Sequence, residues 1–233
     1  MGKLLIVRNE EFEDILYPSD CIPLVEAALK GMAVGKAEHP AKYHDIGDWG
    51  LWFFMGGNVF EQGATAIKTG FAAAGNLTCQ VIYYDSETAE PKAILEGLKV
   101  TNLRPGAAAA VGAKYMARPD SKVATFVGAG GVCWSSLQAL NSVFSLDEVY
   151  VTDISDEAKA SFVERANKRY SFSVFPASIE EGVGKADIVI SATPSREAIV
   201  KAEWVKPGTH FSAMGSDGKG KQELDSGIHQ KAR

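Results

Sequence analysis

Cysteine is scarce in this chain. Its three cysteines, Cys21, Cys79 and Cys133, are odd in number and far apart, which argues against a disulfide framework or the close ligand pairs of a zinc site. A reducing, cytoplasmic setting fits. Histidine is also sparse: His39, His44, His210 and His229 show no metal-ligand spacing, and none is assigned a ligand role. No apolar run approaches the roughly 20 residues of a membrane span. The acidic stretch from Asn9 to Asp14 is unlike a signal peptide. Excess positive charge is missing too: the formal net charge is -5, so nothing attracts nucleic acid or an anionic membrane broadly. These absences leave a soluble, unexported protein with a small-molecule partner as the default. At 233 residues, with 46% hydrophobic and 23% charged, the chain can build one large or two modest domains.

Two halves differ in pattern. In the first, Ser19 or Asp20 can cap a helix whose apolar residues Ile22, Val25, Leu29 and Met32 recur at helical spacing and are expected to pack on a sheet, with Pro23 tolerated in the first turn. Leu51 to Met55 and Thr78 to Tyr84 read as strands, and Lys92 to Leu95 can pair with them behind a turn at Asp85 to Pro91. An α+β unit over 1–117 results. Its last segment, Thr101 to Ala117, is an alanine-rich helix joining the halves, with Thr101 or Asn102 as cap and Pro105 in the first turn. Over 118–233 the runs Val123 to Val127, Glu148 to Thr152, Asp187 to Ser191 and Thr209 to Ala213 alternate with helical stretches. That alternation predicts a Rossmann-type, doubly wound parallel sheet. It reads about one strand and one helix short of the six-stranded form, which leaves a partial chain or a trimmed fold.

The sharpest local signal is Val127-Gly128-Ala129-Gly130-Gly131-Val132-Cys133, between a strand and an apolar helix containing Leu137 and Leu140. Gly128 suits the tight bend, and Gly130 lets backbone amides of the turn, with Gly131 and Val132, approach a pyrophosphate at a helix amino terminus. Cys133 stands where a third glycine or an alanine is usual, a small enough side chain for close packing. A glycine turn alone can be merely structural. Here the next strand ends in Asp153, about 20 residues on, where a carboxylate can accept the ribose hydroxyls of NAD and repel the 2′-phosphate of NADP. Asp153 alone also reads as a loop cap before Ser155. Thr193, at the end of Asp187-Ile188-Val189-Ile190-Ser191-Ala192-Thr193, suits either a cofactor hydrogen bond or a helix cap.

Three further segments carry a resemblance: Ala66-Ile67-Lys68-Thr69-Gly70, Val100-Thr101-Asn102-Leu103-Arg104-Pro105-Gly106-Ala107-Ala108, and Gly215-Ser216-Asp217-Gly218-Lys219-Gly220-Lys221-Gln222-Glu223-Leu224-Asp225. With the glycine turn, in this order and spacing, the chain resembles the ornithine cyclodeaminase and mu-crystallin family over nearly its whole length. The resemblance implies a homodimer formed through the amino-terminal sheets, NAD in the second domain, and an amino or imino acid held between the domains. It implies that Lys68 and Arg104 bind the substrate carboxylate and that Asp217 is the acidic residue beside the reacting carbon and nitrogen. The residue types suit those roles, since a guanidinium fork and an ammonium can fix Cα for hydride transfer and a carboxylate can exchange a proton with an imine nitrogen or water. Without the resemblance, Lys68 and Arg104 read as solvated surface charges and Asp217 as a turn former. The family's carboxyl-terminal extension has no counterpart here.

The departures bear on the reaction. Lys42 stands where the family usually has a carboxylate-binding arginine, keeping the charge and losing the fork. Phe53 takes the position of a glutamate found in the cyclodeaminases, and it can do no acid or base work. Pro105 and Gly106 replace threonine and alanine, and Gly56 replaces proline, changes expected to reshape the pocket wall. His44 and Trp49 suit either the substrate entrance or loop packing. The reading is therefore an NAD-dependent imino-acid reductase or amino-acid dehydrogenase, with a deaminating cyclase and a non-catalytic binding protein of the mu-crystallin type as rivals.

Overall fold

A computed structural model describes residues 3–12 and 14–232; Glu13, part of the acidic stretch read above, lies outside them. Contacts divide the chain into two units, Met1–Asn102 and Leu103–Arg233, whereas the sequence pattern predicts a change at 117/118.

The first unit contains β1 (Leu5–Val7), α1 (Pro18–Ala33), β2 (Ala37–Glu38), β3 (Tyr43–Gly47), β4 (Gly50–Val59), β5 (Ala64–Ala73), β6 (Asn76–Asp85) and β7 (Pro91–Glu96). They form one sheet in the order β1-β7-β6-β5-β4-β2, with β3 on β4. Among the described residues, only the β1–β7 pair of this sheet is parallel. The expected hairpin of Lys92 to Leu95 is present, Ile94 facing Ile82 across β6 and β7. β5 was not expected. Its glycine, threonines and alanines lack the alternation that marks a strand, yet it pairs along its full length with β6 and from Ala64 to Ala72 with β4. α1 begins before either expected cap, Ser19 or Asp20: Tyr17 is the N-cap, Pro18 opens the helix, and the Asp20 carboxylate accepts the Tyr17 N–H at 2.9 Å. Pro23 therefore lies past the first turn. Of the expected apolar stripe, Ile22 is buried and Val25 half-buried, whereas Leu29 and Met32 are exposed.

α2 (Leu98–Met116) follows. It starts earlier than Thr101, because Thr101 is already inside it, its N–H and hydroxyl both donating to the Gly97 carbonyl at 2.9 and 2.6 Å. Pro105 falls in the helix interior, so the Thr101 carbonyl lacks its usual donor. Lys99 binds back to the first unit, its N–H on Asn9 Oδ1 and its ammonium on the Phe12 carbonyl. Such contacts draw the boundary into the helix.

The second unit holds β8 (Val123–Val127), α3 (Gly131–Leu140), β9 (Glu148–Thr152), α4 (Asp156–Arg169), β10 (Ser173–Pro176), α5 (Ile179–Lys185), β11 (Ile188–Ser191), β12 (His210–Ala213) and α6 (Ser226–Lys231). All strands are parallel, in the order β10-β9-β8-β11-β12. β10 adds a fifth strand to the expected four, still one fewer than the six-stranded form. Side chains alternate between two buried cores, as a sheet covered on both faces requires. Phe126, Leu137, Phe162, Ile188 and Ile190 fill one, with Ala109 and Ala113 of α2; Val127, Val183, Val189, Leu224 and Ile228 fill the other. Among the described residues, no helix is long and apolar enough to cross a membrane.

Candidate active site

The glycine turn sits at the carboxyl edge of β8. Gly128 has φ +107°, and a Cβ there would lie 2.8 Å from the Ala192 carbonyl oxygen, so only glycine makes this bend. Gly130 is the N-cap of α3, and a Cβ there would meet nothing within 4 Å. The first bond of the helix is Trp134 N–H to Gly130 O at 3.0 Å. The amides of Gly131, Val132 and Cys133 precede any helical acceptor and face outward with the positive end of the helix dipole. This cradle fits a pyrophosphate.

Cys133 is buried, and its thiol donates to the Val127 carbonyl at 3.7 Å. Burial pushes the thiol far above its ordinary range, and the negative charges of Glu223 and Asp153 push it the same way. The side chain therefore packs as a small neutral residue, the use expected of it.

Asp153 closes the turn. Its Oδ2 accepts the Ala129 N–H at 2.7 Å and its Oδ1 the Ser155 N–H at 2.9 Å. Ser155, not Asp153, caps α4 by accepting the Ala158 N–H. The carboxylate thus fixes the loop and keeps lone pairs for a further donor. Ile154 beside it is fully exposed, an apolar surface not singled out from the sequence.

Thr193 and Asp217 lie on the loops that leave β11 and β12. Thr193 is engaged by Glu223, its N–H and hydroxyl both donating to Oε1 at 2.6 and 2.9 Å. The hydroxyl also accepts the Ser195 N–H at 3.3 Å. Asp217 is exposed and pairs with Lys221 at 2.7 Å. Arg104, on α2, is exposed, yet enough protein crowds its guanidinium for desolvation to lower its pKa from the ordinary value. Among the described residues, no hydrogen bond or ion pair reaches it. Gly106 is buried against Ser135 and Ser136 of α3.

On the first unit, Lys42 and Lys68 converge on one ring. The Lys68 ammonium lies 5.4 Å and that of Lys42 6.0 Å from the centre of Phe53, which is buried. His44 meets the same ring edge-on at 6.2 Å. Trp49 does not join them; it stacks on Phe71 at 5.7 Å. Trp52 and Phe54, flanking Phe53 on β4, point to the other face of the sheet by strand alternation and are exposed.

A model of the ornithine cyclodeaminase/mu-crystallin family matches residues 4–233. The chain belongs to that family. Family relatives include an alanine dehydrogenase of Archaeoglobus fulgidus, 36% identical over 98% of this chain and 72% of the relative. Iminosuccinate reductase of Paracoccus denitrificans is 30% identical over 99% of this chain and 74% of the relative. Among solved structures, an archaeal alanine dehydrogenase dimer with bound NAD superposes with a TM-score of 0.92 at 35% identity, covering 99% of this chain and 73% of that one. Thermococcus litoralis Delta(1)-pyrroline-2-carboxylate reductase, in complex with NADH and L-proline, also gives 0.92, at 30% identity over 98% of this chain and 74% of that one.

Besides Ile154, Glu223 of this member of the ornithine cyclodeaminase/mu-crystallin family carries no signal in the sequence. It falls within the Gly215 to Asp225 segment. A glutamate between a glycine-rich loop and an aspartate has the pattern of solvated surface, and the structure buries it completely.

Proposed function

We propose that this chain is an NAD(H)-dependent oxidoreductase interconverting a small imino acid and the corresponding amino acid by hydride transfer at Cα. One observation carries the reading: an amide cradle opened by Gly128 and locked by Asp153, at the carboxyl edge of a doubly wound sheet, in a chain 36% and 30% identical to an alanine dehydrogenase and an iminosuccinate reductase. When bound, NAD(H) supplies or takes up the hydride. Asp153 accepts the adenosine ribose hydroxyls and disfavours a 2′-phosphate, and exposed Ile154 offers apolar cover to the adenine. Gly128, Gly130, Gly131 and Val132 form the backbone of the pyrophosphate cradle, and Thr193 serves the second half of the dinucleotide.

The substrate roles follow the charges. Lys68, with Lys42 beside it over Phe53, brings cationic charge for a carboxylate. Arg104 brings a planar fork that a carboxylate can take bidentately. Asp217 exchanges the proton at the substrate nitrogen, with Lys221 holding its carboxylate. The working protein is a homodimer, as in the archaeal alanine dehydrogenase structure. The exposed aromatic face of the first unit, with Tyr43 stacked on Phe54 at 5.1 Å, supports that assembly.

The test is a panel of 2-oxo acids with ammonium or methylamine, cyclic imines and amino acids, followed by nicotinamide absorbance. Turnover with net NADH change is expected for one class. Ammonia release with a cyclic product and no net NADH change would indicate a deaminating cyclase, and silence across the panel would indicate a binding protein.

A further inference from the structure

Glu223 is fully buried, and among the described residues no cation pairs with it. It has four donors instead. Oε1 accepts the Thr193 N–H and hydroxyl, while Oε2 accepts the Ser191 hydroxyl and the Gly215 N–H, each of the last two at 2.9 Å. Together they fill about the four lone-pair directions a carboxylate offers. Burying a charge is costly, and this donor set offsets the loss of water.

Those donors come from two separate loops. Ser191 ends β11 and Thr193 follows it, whereas Gly215 follows β12 on the way to Asp217. A Cβ at Gly215 would lie 2.5 Å from the Glu223 carboxyl carbon, so this approach needs glycine. Glu223 is itself anchored, its carbonyl accepting the N–H groups of Ile199 and Val200 at 2.9 and 3.0 Å. The carboxylate is therefore a fixed rivet between the loops at the carboxyl ends of β11 and β12. In a doubly wound sheet these strands open the second mononucleotide half, which takes the nicotinamide end.

We propose that Glu223 is a positioning residue that locks the Thr193 and Gly215–Asp217 loops into one geometry for the nicotinamide end of the cofactor and for proton exchange at Asp217. This rests on the functional reading above. Glu223→Gln keeps the volume, but its amide group sets an N–H against a backbone N–H on whichever side it falls, releasing one loop. Ser191→Ala is the milder companion, removing one donor and keeping the charge.

The experiment measures ADP-ribose and NADH binding to folded wild type and both variants, with NADH fluorescence enhancement as a reporter of nicotinamide order. For Glu223→Gln we expect ADP-ribose affinity unchanged, NADH affinity weakened about tenfold, the scale of one or two hydrogen bonds, and the enhancement reduced. Ser191→Ala should shift NADH the same way by about threefold. A variant pair that bound NADH like wild type, or lost ADP-ribose and NADH by the same factor, would overturn the proposal. Wild-type protein that bound neither ligand would overturn the functional reading itself, and the proposal with it.

Discussion

Asp153 illustrates how a single carboxylate serves the loop and, on our reading, the ligand. Two of its acceptor positions hold the Ala129 and Ser155 amides, so Asp153→Ala should both loosen the glycine turn and remove the ribose partner. NADH binding should weaken about tenfold or more, on the scale of a charged hydrogen bond, and discrimination against NADPH should narrow, as titrations with both cofactors would reveal. Lys68→Ala should behave differently. It leaves the dinucleotide cradle intact, so NADH affinity should hold while kcat/KM for the substrate falls roughly a hundredfold, the loss of about one charge-assisted contact. Equal loss of NADH affinity would count against its role. Gly128 was legible because its positive φ and the close Ala192 carbonyl leave few other choices. Lys68, Arg104 and Asp217 were singled out only through resemblance, since nothing in their sequence neighbours distinguishes them from surface charges, and their roles here are proposals. Glu223 was not legible, because its partners come from loops that converge only once the sheet is formed.

At the scale of elements, most strands of the second unit were readable because burial on both faces favours largely apolar runs, as in Val123–Val127 and Ile188–Ser191. β10 is short, ends in proline and has only Val174 buried, so no run marks it. β5 and the start of α2 were hidden for local reasons, small residues in one and Pro105 in the other. Asp187 was expected to begin β11, but its carboxylate lies just before it and staples neighbouring segments. It accepts the Lys122 and Val123 amides at 2.9 and 3.0 Å and pairs with Arg118 and Lys206 at 2.7 and 3.1 Å. Burial pushes its pKa up, yet these donors outweigh it and hold the net value below the ordinary one. Asp187→Ala should cost about 3 kcal/mol, read as a lower denaturant midpoint. His210, at the start of β12, is also shifted down, but this disfavours its charged form, since burial lowers its pKa from 6.5. The unfolded chain then takes up a proton that the folded chain resists. Stability from this group is complete above the unfolded value and declines as pH falls through the folded one. Urea midpoints at about pH 7.5 and 5.5 should differ less in His210→Gln than in wild type.

For the whole molecule, the outward face of the first unit's sheet is the feature composition alone did not disclose. Tyr43, Trp52, Phe54 and Phe71 are exposed together, with Trp52 packed edge-on to Tyr43 at 5.8 Å. A charge in this face, as in Phe54→Lys, should yield a folded monomer where wild type sediments as a dimer, because an apolar interface core tolerates charge poorly. Sedimentation of both proteins at matched concentration checks it, and a dimeric Phe54→Lys would move the interface elsewhere.

The proposed reaction makes or breaks one bond, that between the transferred hydrogen and Cα. Protein supplied with NADH deuterated at both C4 positions, ammonium and the 2-oxo acid that the panel identifies should give an amino acid carrying a single deuterium at Cα by mass spectrometry. An amino acid formed without that label would contradict the account.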